Sequence, residues 1–242
     1  MPETSKRLQS GAQFLADSGL NMLAIFDVAK LPASICDPLR ADGVVIERYQ
    51  SLVVIANGGA AFWSALQAFG MRGDDPVDAF SRHLAERFVA EHLQCDEALP
   101  LYPGHYAIPL QQLGALAGWH HPSPLGLGIH VEFGLWFAYR SAFLITQSLP
   151  ATTARPSQSP CASCADKPCV SACPPGAVRA ENSLELTTCI DFRLKPESTC
   201  ATQCLARAAC PVGAEHRYED EQTTYHASHS LVSLRRYQAV LP

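Results

Sequence analysis

Eight of the chain's ten cysteines fall between Cys161 and Cys210, and any fold of this chain must gather them for a reason. They come as Cys161-x2-Cys164-x4-Cys169-x3-Cys173-Pro174 and then as Cys189 followed by Cys200-x3-Cys204-x5-Cys210-Pro211. Such short spacings turn one thiol after another toward a common point, and a proline after the last one stiffens the exit. The bacterial two-cluster run C-x2-C-x2-C-x3-C-P has this form, with its fourth cysteine serving the other cluster. The first set departs from it only in the four residues before Cys169, and the second more widely, with five before Cys210. Two [4Fe-4S] clusters are the expectation. Paired zinc sites, which also use C-x2-C, and disulfides, which suit an even count, stay open. Cys36 and Cys95 read as structural thiols.

Compartment bears on that choice. The segment from Met1 to Gly19 has no continuous apolar run followed by a small-residue cleavage site. Tyr49 to Met71 carries no charge, but Asn57-Gly58-Gly59 interrupts it, so it reads as strand, turn and helix rather than a membrane span. A cytoplasmic location with no membrane partner is expected. In a reducing compartment, clustered thiols serve metals more often than disulfides.

The rest of the 242 residues has the apolar content of a folded protein, 48%, and a net charge of −5 without a basic block, which argues against a nucleic-acid partner. Residues 1–150 read as one mixed α and β domain. Met22 to Phe26, Val44 to Ile46 and Leu52 to Ala56 have the length and content of strands, and a helix is expected from about Ala60. Asp75 is expected to cap a helix that begins at Pro76 and presents Val77, Phe80, Leu84 and Phe88 on one face to about Leu93. Another helix spans Leu113 to Gly118, and Leu125 to Ile145 reads as a loop followed by a strand or helix. Gly58-Gly59 ahead of a helix is a steric turn first and a phosphate cradle second. Pro150 to Pro160 marks a crossing to a cysteine module over 151–215. Residues 216–242, with Tyr218 to Leu241 helical, form a tail expected to pack back on the first domain.

The cysteine arrangement resembles the iron–sulfur module of epoxyqueuosine reductase and the cobalamin-dependent reductive dehalogenases, with Cys189-Ile190-Asp191-Phe192 in place of a lone C-I-S-Y-like cysteine. That resemblance implies one cluster on Cys161, Cys164, Cys169 and Cys210, and another on Cys173, Cys189, Cys200 and Cys204. Upstream, Gly128-Ile-His-Val-Glu-Phe-Gly-Leu-Trp-Phe-Ala-Tyr-Arg140 resembles the I-H-P-x-F-G-G-W-F-A-I-R stretch of the MMACHC (cblC-type) cobalamin-processing family. Asp75-Pro76-Val77-Asp78 with His83-Leu84, and Arg217-Tyr218 through Gln222 to Tyr225, match two further stretches of that family in the same order. Val131 and Leu135 stand where the family has Pro and Gly. Both relatives imply an α+β fold: a nitroreductase-like cobalamin-binding domain followed by a C-terminal ferredoxin-like two-cluster module.

The resemblance brings His130, Phe133, Gly134, Trp136 and Arg140 forward as cobalamin contacts. His130 would otherwise be a half-buried structural histidine, Trp136 and Phe137 would be core aromatics, and Arg140 would pair with Glu132. His105, His120 and His121 read as surface histidines in loops. The chain has no D-Y-H, the context of the catalytic Asp in epoxyqueuosine reductases, and no twin-arginine signal of the kind exported dehalogenases carry. The expected function is a cobalamin-binding iron–sulfur oxidoreductase. It would reduce cobalamin and remove its upper ligand, with electrons from a ferredoxin, a flavodoxin or a flavin reductase. The rivals are a cobalamin-dependent reductase of an external substrate, and a cobalamin chaperone or ferredoxin-like carrier. Flavin fits such folds, but no motif supports it.

Overall fold

The computed structural model describes residues 3–181 and 183–239. The chain divides into two compact units, Met1–Gly118 with Phe137–Pro156, and Trp119–Trp136 with Ser157–Pro242.

Unit 1 begins with α1 (Glu3–Asp17), β1 (Met22–Asp27), α2 (Ala33–Ala41) and β2 (Ser51–Gly58). It continues through α3 (Ala61–Phe69), α4 (Pro76–Arg87), β3 (Ala98–Tyr102) and α5 (Leu110–Leu116). Two short strands, β4 (His121–Pro122) and β5 (Gly128–Ile129), belong to unit 2, and the chain returns to unit 1 as β6 (Phe137–Ile145). The sheet is antiparallel throughout, in the order β1-β2-β6-β3. Its central strand, β2, is buried along its whole length, and Leu52 to Ala56 expose nothing, as an uninterrupted apolar run requires. The segment after β6 continues this unit: Thr152 N–H donates to Ile25 O at 2.8 Å, and Ile25 N–H donates to Thr152 Oγ1 at 3.0 Å.

Helix α4 packs on β6, with Phe80 against Phe62 and Phe69. Pro76 opens it as expected, but the Asp75 side chain makes no capping bond; only its carbonyl accepts, from Ala79 N–H at 3.0 Å. Beyond Arg87 the helix widens into a π-helical turn, Phe88–Leu93, whose Phe88 ring fills the space left by Gly11 of α1.

Val44 to Ile46 is not a strand. Gly43 adopts a left-handed φ of 86° after α2, with Val44 N–H donating to Leu39 O and Gly43 N–H to Arg40 O. This is a Schellman motif, so Val44 is buried as the apolar contact that closes the helix, and Ile46–Arg48 is a 3-10 turn. At Gly58-Gly59, Gly59 takes a left-handed φ of 76°, as a steric turn requires. The backbone of Gly19 lies against Ala61 and Phe62 and covers the first turn of α3.

Unit 2 contains β4 and β5, α6 (Pro160–Ser163), α7 (Pro168–Ser171), the ladder β7 (Val178–Arg179) with β8 (Ser183–Leu184), α8 (Leu186–Arg193), α9 (Leu205–Ala208) and α10 (Asp220–Ala239). Its core joins Leu125, Ile129 and Leu135 to Cys169, Val178, Ala206 and Cys210. The stretch from Trp119 to Trp136, placed with residues 1–150 by sequence, thus shares a core with the cysteines. Helix α10 packs on α8 within this unit: Arg193 Nη1 donates to Ser230 Oγ, and Gln238 Nε2 to Asp191 Oδ1, each at 2.9 Å. The end of the expected tail, residues 240–242, lies outside the described residues, as does Asn182. No described helix is long and apolar enough to cross a membrane.

Candidate functional site

The eight thiols of unit 2 separate into two sets of four. Cys161, Cys164, Cys169 and Cys210 line one cavity of about 320 Å³, counted with its open mouth. Pro124, Ile129, Pro160, Pro168, Pro211 and Val212 make its walls apolar, and Lys167 is the one charged residue on it. Lys167 is held by a hydrogen bond to Ala180 O at 2.6 Å. Burial, and then the neighbouring Cys210, Cys169 and Cys164, push the Cys161 thiol above its ordinary range. The other four are linked in the same way. Burial raises the Cys189 thiol most, and Cys204, Cys173 and Cys200 all stand within electrostatic reach of it, with Arg193 opposing. Thiols that repel one another as thiolates are a poor arrangement without a cation between them and a good one around it.

An arginine is tied to a backbone carbonyl in each set: Arg217 Nη2 to Cys210 O and Arg193 Nε to Cys200 O, both at 3.2 Å. Among the described residues, no three His, Cys, Asp or Glu side chains already converge as ion ligands. The donor chemistry nevertheless fits an iron–sulfur cluster, since four soft thiols line one apolar cavity.

The loop from Gly128 to Trp136 sits against this module. Gly134 has a left-handed φ of 56°, and a side chain there would strike Val212 O, just as a side chain on Gly213 would strike the backbone of Phe133 and Gly134. Backbone therefore meets backbone just beyond Cys210-Pro211. His130 Nδ1 accepts from Glu132 N–H at 3.1 Å and Phe133 N–H at 3.2 Å, so its ring closes the turn. Burial pushes its pKa down, with Glu132 opposing and His121 and His216 adding. Phe133 stacks on His130 at 5.0 Å and meets His216 edge-on at 4.8 Å. Trp136 is buried against Tyr218, with the Arg207 guanidinium 4.3 Å over its ring. Arg207 in turn donates to Leu135 O at 2.6 Å. Of the loop histidines, His121 bonds Ser157 through Nε2, and the His120 ring packs on Gly128.

Arg140 is in unit 1, on β6. It is 7% exposed and sends its Nε–H to Asn57 Oδ1 at 2.6 Å, with the guanidinium 4.7 Å over the Phe62 ring. Asn57, itself fully buried, donates through Nδ2 to Gly59 O. Neither Asn57 nor Arg207 was a sequence candidate. A polar residue inside the apolar run of β2 was the available signal for the first; the second had none. The five proposed cobalamin contacts thus divide, with His130, Phe133, Gly134 and Trp136 in unit 2 and Arg140 in unit 1.

No family model matches this chain, and no curated protein matches its sequence. Solved structures do. An epoxyqueuosine reductase aligns over 91% of this chain and 69% of its own, at 14% identity and a TM-score of 0.60. Another, solved with an epoxyqueuosine-modified tRNA stem loop, aligns over the same shares at 12% identity and a TM-score of 0.56. The B12-trafficking protein CblC of C. elegans, a human MMACHC homologue, aligns over 92% of both chains at 13% identity and a TM-score of 0.54. The fold is shared with both kinds of protein. The chain spans 66 to 69% of the length of the epoxyqueuosine reductases it matches.

Proposed function

We propose that this chain is a cytoplasmic cobalamin reductase. Unit 1, read as a nitroreductase-like domain, binds cobalamin as substrate, and unit 2 holds two [4Fe-4S] clusters. The observation that carries the reading is the division of eight thiols into two sets of four within a fold that CblC shares over 92% of both chains. Cys161, Cys164, Cys169 and Cys210 would hold one cluster, and Cys173, Cys189, Cys200 and Cys204 the other. Bound there, the clusters would supply electrons one at a time at low potential.

The chain's own groups do the rest. The proline and aliphatic wall beside Cys161 and Cys210 lowers the polarity around the thiols, and Arg193 and Arg217 fix the backbone at Cys200 and Cys210. Arg140, buried beside Asn57, offers hydrogen-bond donors to the polar rim of the substrate. One electron entering cobalt(III) weakens the bond to its upper ligand. Cyanide then leaves as the anion with the bonding pair, and the electron comes from a reduced ferredoxin, flavodoxin or flavin reductase. The protein's part is positioning and tuning; the hard chemistry is the cofactor's.

Anaerobic protein reconstituted with iron and sulfide, given cyanocobalamin and a chemical reductant, tests this. Reduced cobalamin and free cyanide should form at a rate that Cys161→Ala lowers severely. An equal rate with the variant, or with no protein at all, would remove the reductase reading.

A further inference from the structure

Two irregularities of the sheet in unit 1 meet beside Arg140. On the β2 side of β6, Ile55 pairs with Ser141 and Ala56 with Tyr139, which leaves Arg140 as the extra residue of a bulge. On the other side, Pro100 pairs with Phe143 and Tyr102 with Ala142, which leaves Leu101 extra on β3. Bulges bend a strand and re-aim its side chains, and they gather next to binding sites.

The side chains here are unusually under-used. Arg140 is buried, yet only its Nε–H is spent on a protein atom; the four Nη hydrogens have no acceptor among the described residues. Helix α4, packed on β6, brings Asp78 within electrostatic reach of Arg140, and Tyr102, paired with Ala142 of β6, lies within the same reach of both. Asp75 and Arg82 also act on Asp78, with opposite signs. Asp78 and Arg140 nevertheless close no ion pair, and neither the Asp78 carboxylate nor the Tyr102 hydroxyl has a hydrogen-bond partner among the described residues.

Opposite charges held near one another without touching suit a guest that carries an acceptor and a donor on neighbouring atoms. A carboxylate would be repelled by Asp78 and an ammonium by Arg140. A primary carboxamide satisfies both, accepting from Arg140 through its oxygen and donating to Asp78 through its nitrogen. Being neutral, it also loses less than an ion does on leaving water. We propose that Asp78, Arg140 and Tyr102 form a carboxamide site, and that its guest is one peripheral amide of the corrin ring; this rests on the cobalamin reading above.

The test compares hydroxocobalamin with the series of its derivatives in which a single peripheral amide has been hydrolysed to the acid. Affinities are measured by visible titration of the full chain, its Asp78→Asn variant and its Tyr102→Phe variant, with a melting curve for each. The wild-type chain should bind one mono-acid about tenfold more weakly than cobalamin, because Asp78 repels it. Asp78→Asn should weaken cobalamin by about the same factor and abolish the discrimination against that acid. Tyr102→Phe should weaken cobalamin by a smaller factor. Equal affinity of the wild-type chain for every mono-acid would overturn the site, and this arm needs no variant to fold. Unchanged cobalamin affinity in Asp78→Asn would overturn it too, and would leave cobalamin binding itself intact. Absence of cobalamin binding by the wild-type chain is the separate result that removes the underlying reading.

Discussion

The backbone of Gly134 lies against the carbonyl of Val212 with no room for a side chain between them. This contact fixes the Gly128 to Trp136 loop to the segment just past Cys210-Pro211. Gly134→Ala adds both a clash and a left-handed backbone strain at φ 56°. It should cost roughly 2 kcal/mol or more. Melting curves and iron content of the reconstituted variant check this: the melting temperature should fall, and iron should be lost first from the set that includes Cys210.

Asn57 and Arg140 depend on one another in the sheet of unit 1. Asn57→Ala leaves the buried Arg140 Nε–H without its acceptor, and should destabilise the chain by about 1–3 kcal/mol. Denaturant unfolding measures it. An effect within a few tenths of a kcal/mol, the range of ordinary surface changes, would mean that Arg140 finds another partner without cost.

How much of this was legible in the sequence differs by element. Leu52 to Ala56 announced a strand because a run that exposes nothing has to be apolar at every position, and β2 is such a strand. Val44 to Ile46 had the same local composition. Its fate was set by Gly43 and the end of α2, so hydrogen bonds from outside the run overrode it. The membership of Trp119 to Trp136 in unit 2 was hidden, because the burial of Leu125, Ile129 and Leu135 depends on residues far along the chain. Spacing suggested the thiols' convergence and the resemblance gave their grouping, but nothing in it told of Arg193 and Arg217. Arg140 stood out as a charge after an apolar run. Its place in a bulge, and the nearness of Asp78 and Tyr102, come from strand register that alternation alone does not fix.

Because the two sets of thiols are separate, removing one thiol should cost one cluster and spare the other. Cys210→Ala and Cys189→Ala should each retain about half of the wild-type iron, and the double variant almost none. Iron and sulfide assays, with electron paramagnetic resonance of the reduced protein, report this. Complete loss in either single variant would contradict the division into two sets.

The pH dependence of stability should carry the mark of His130. Its Nδ1 accepts two backbone N–H groups, which requires the neutral ring with its hydrogen on Nε2. Burial holds its pKa below the ordinary 6.5, so at lower pH the unfolded chain takes up a proton that the folded chain resists. The stability gained from His130 is therefore complete above pH 6.5 and falls as pH drops below it toward the folded value. The difference in melting temperature between wild type and His130→Gln should shrink between about pH 8 and about pH 5. A difference that grows toward acid would reverse the assignment.

The proposed function requires one chain to join cobalamin binding to iron–sulfur chemistry. It is tested most directly by titrating hydroxocobalamin into anaerobically reconstituted protein and following the visible spectrum beside the iron and sulfide content. The expected result is close to two four-iron clusters per chain, and a saturable shift toward the cobalamin form that lacks its lower nitrogen ligand. Stoichiometric zinc in place of iron, or no spectral shift with cobalamin in large excess, would contradict it.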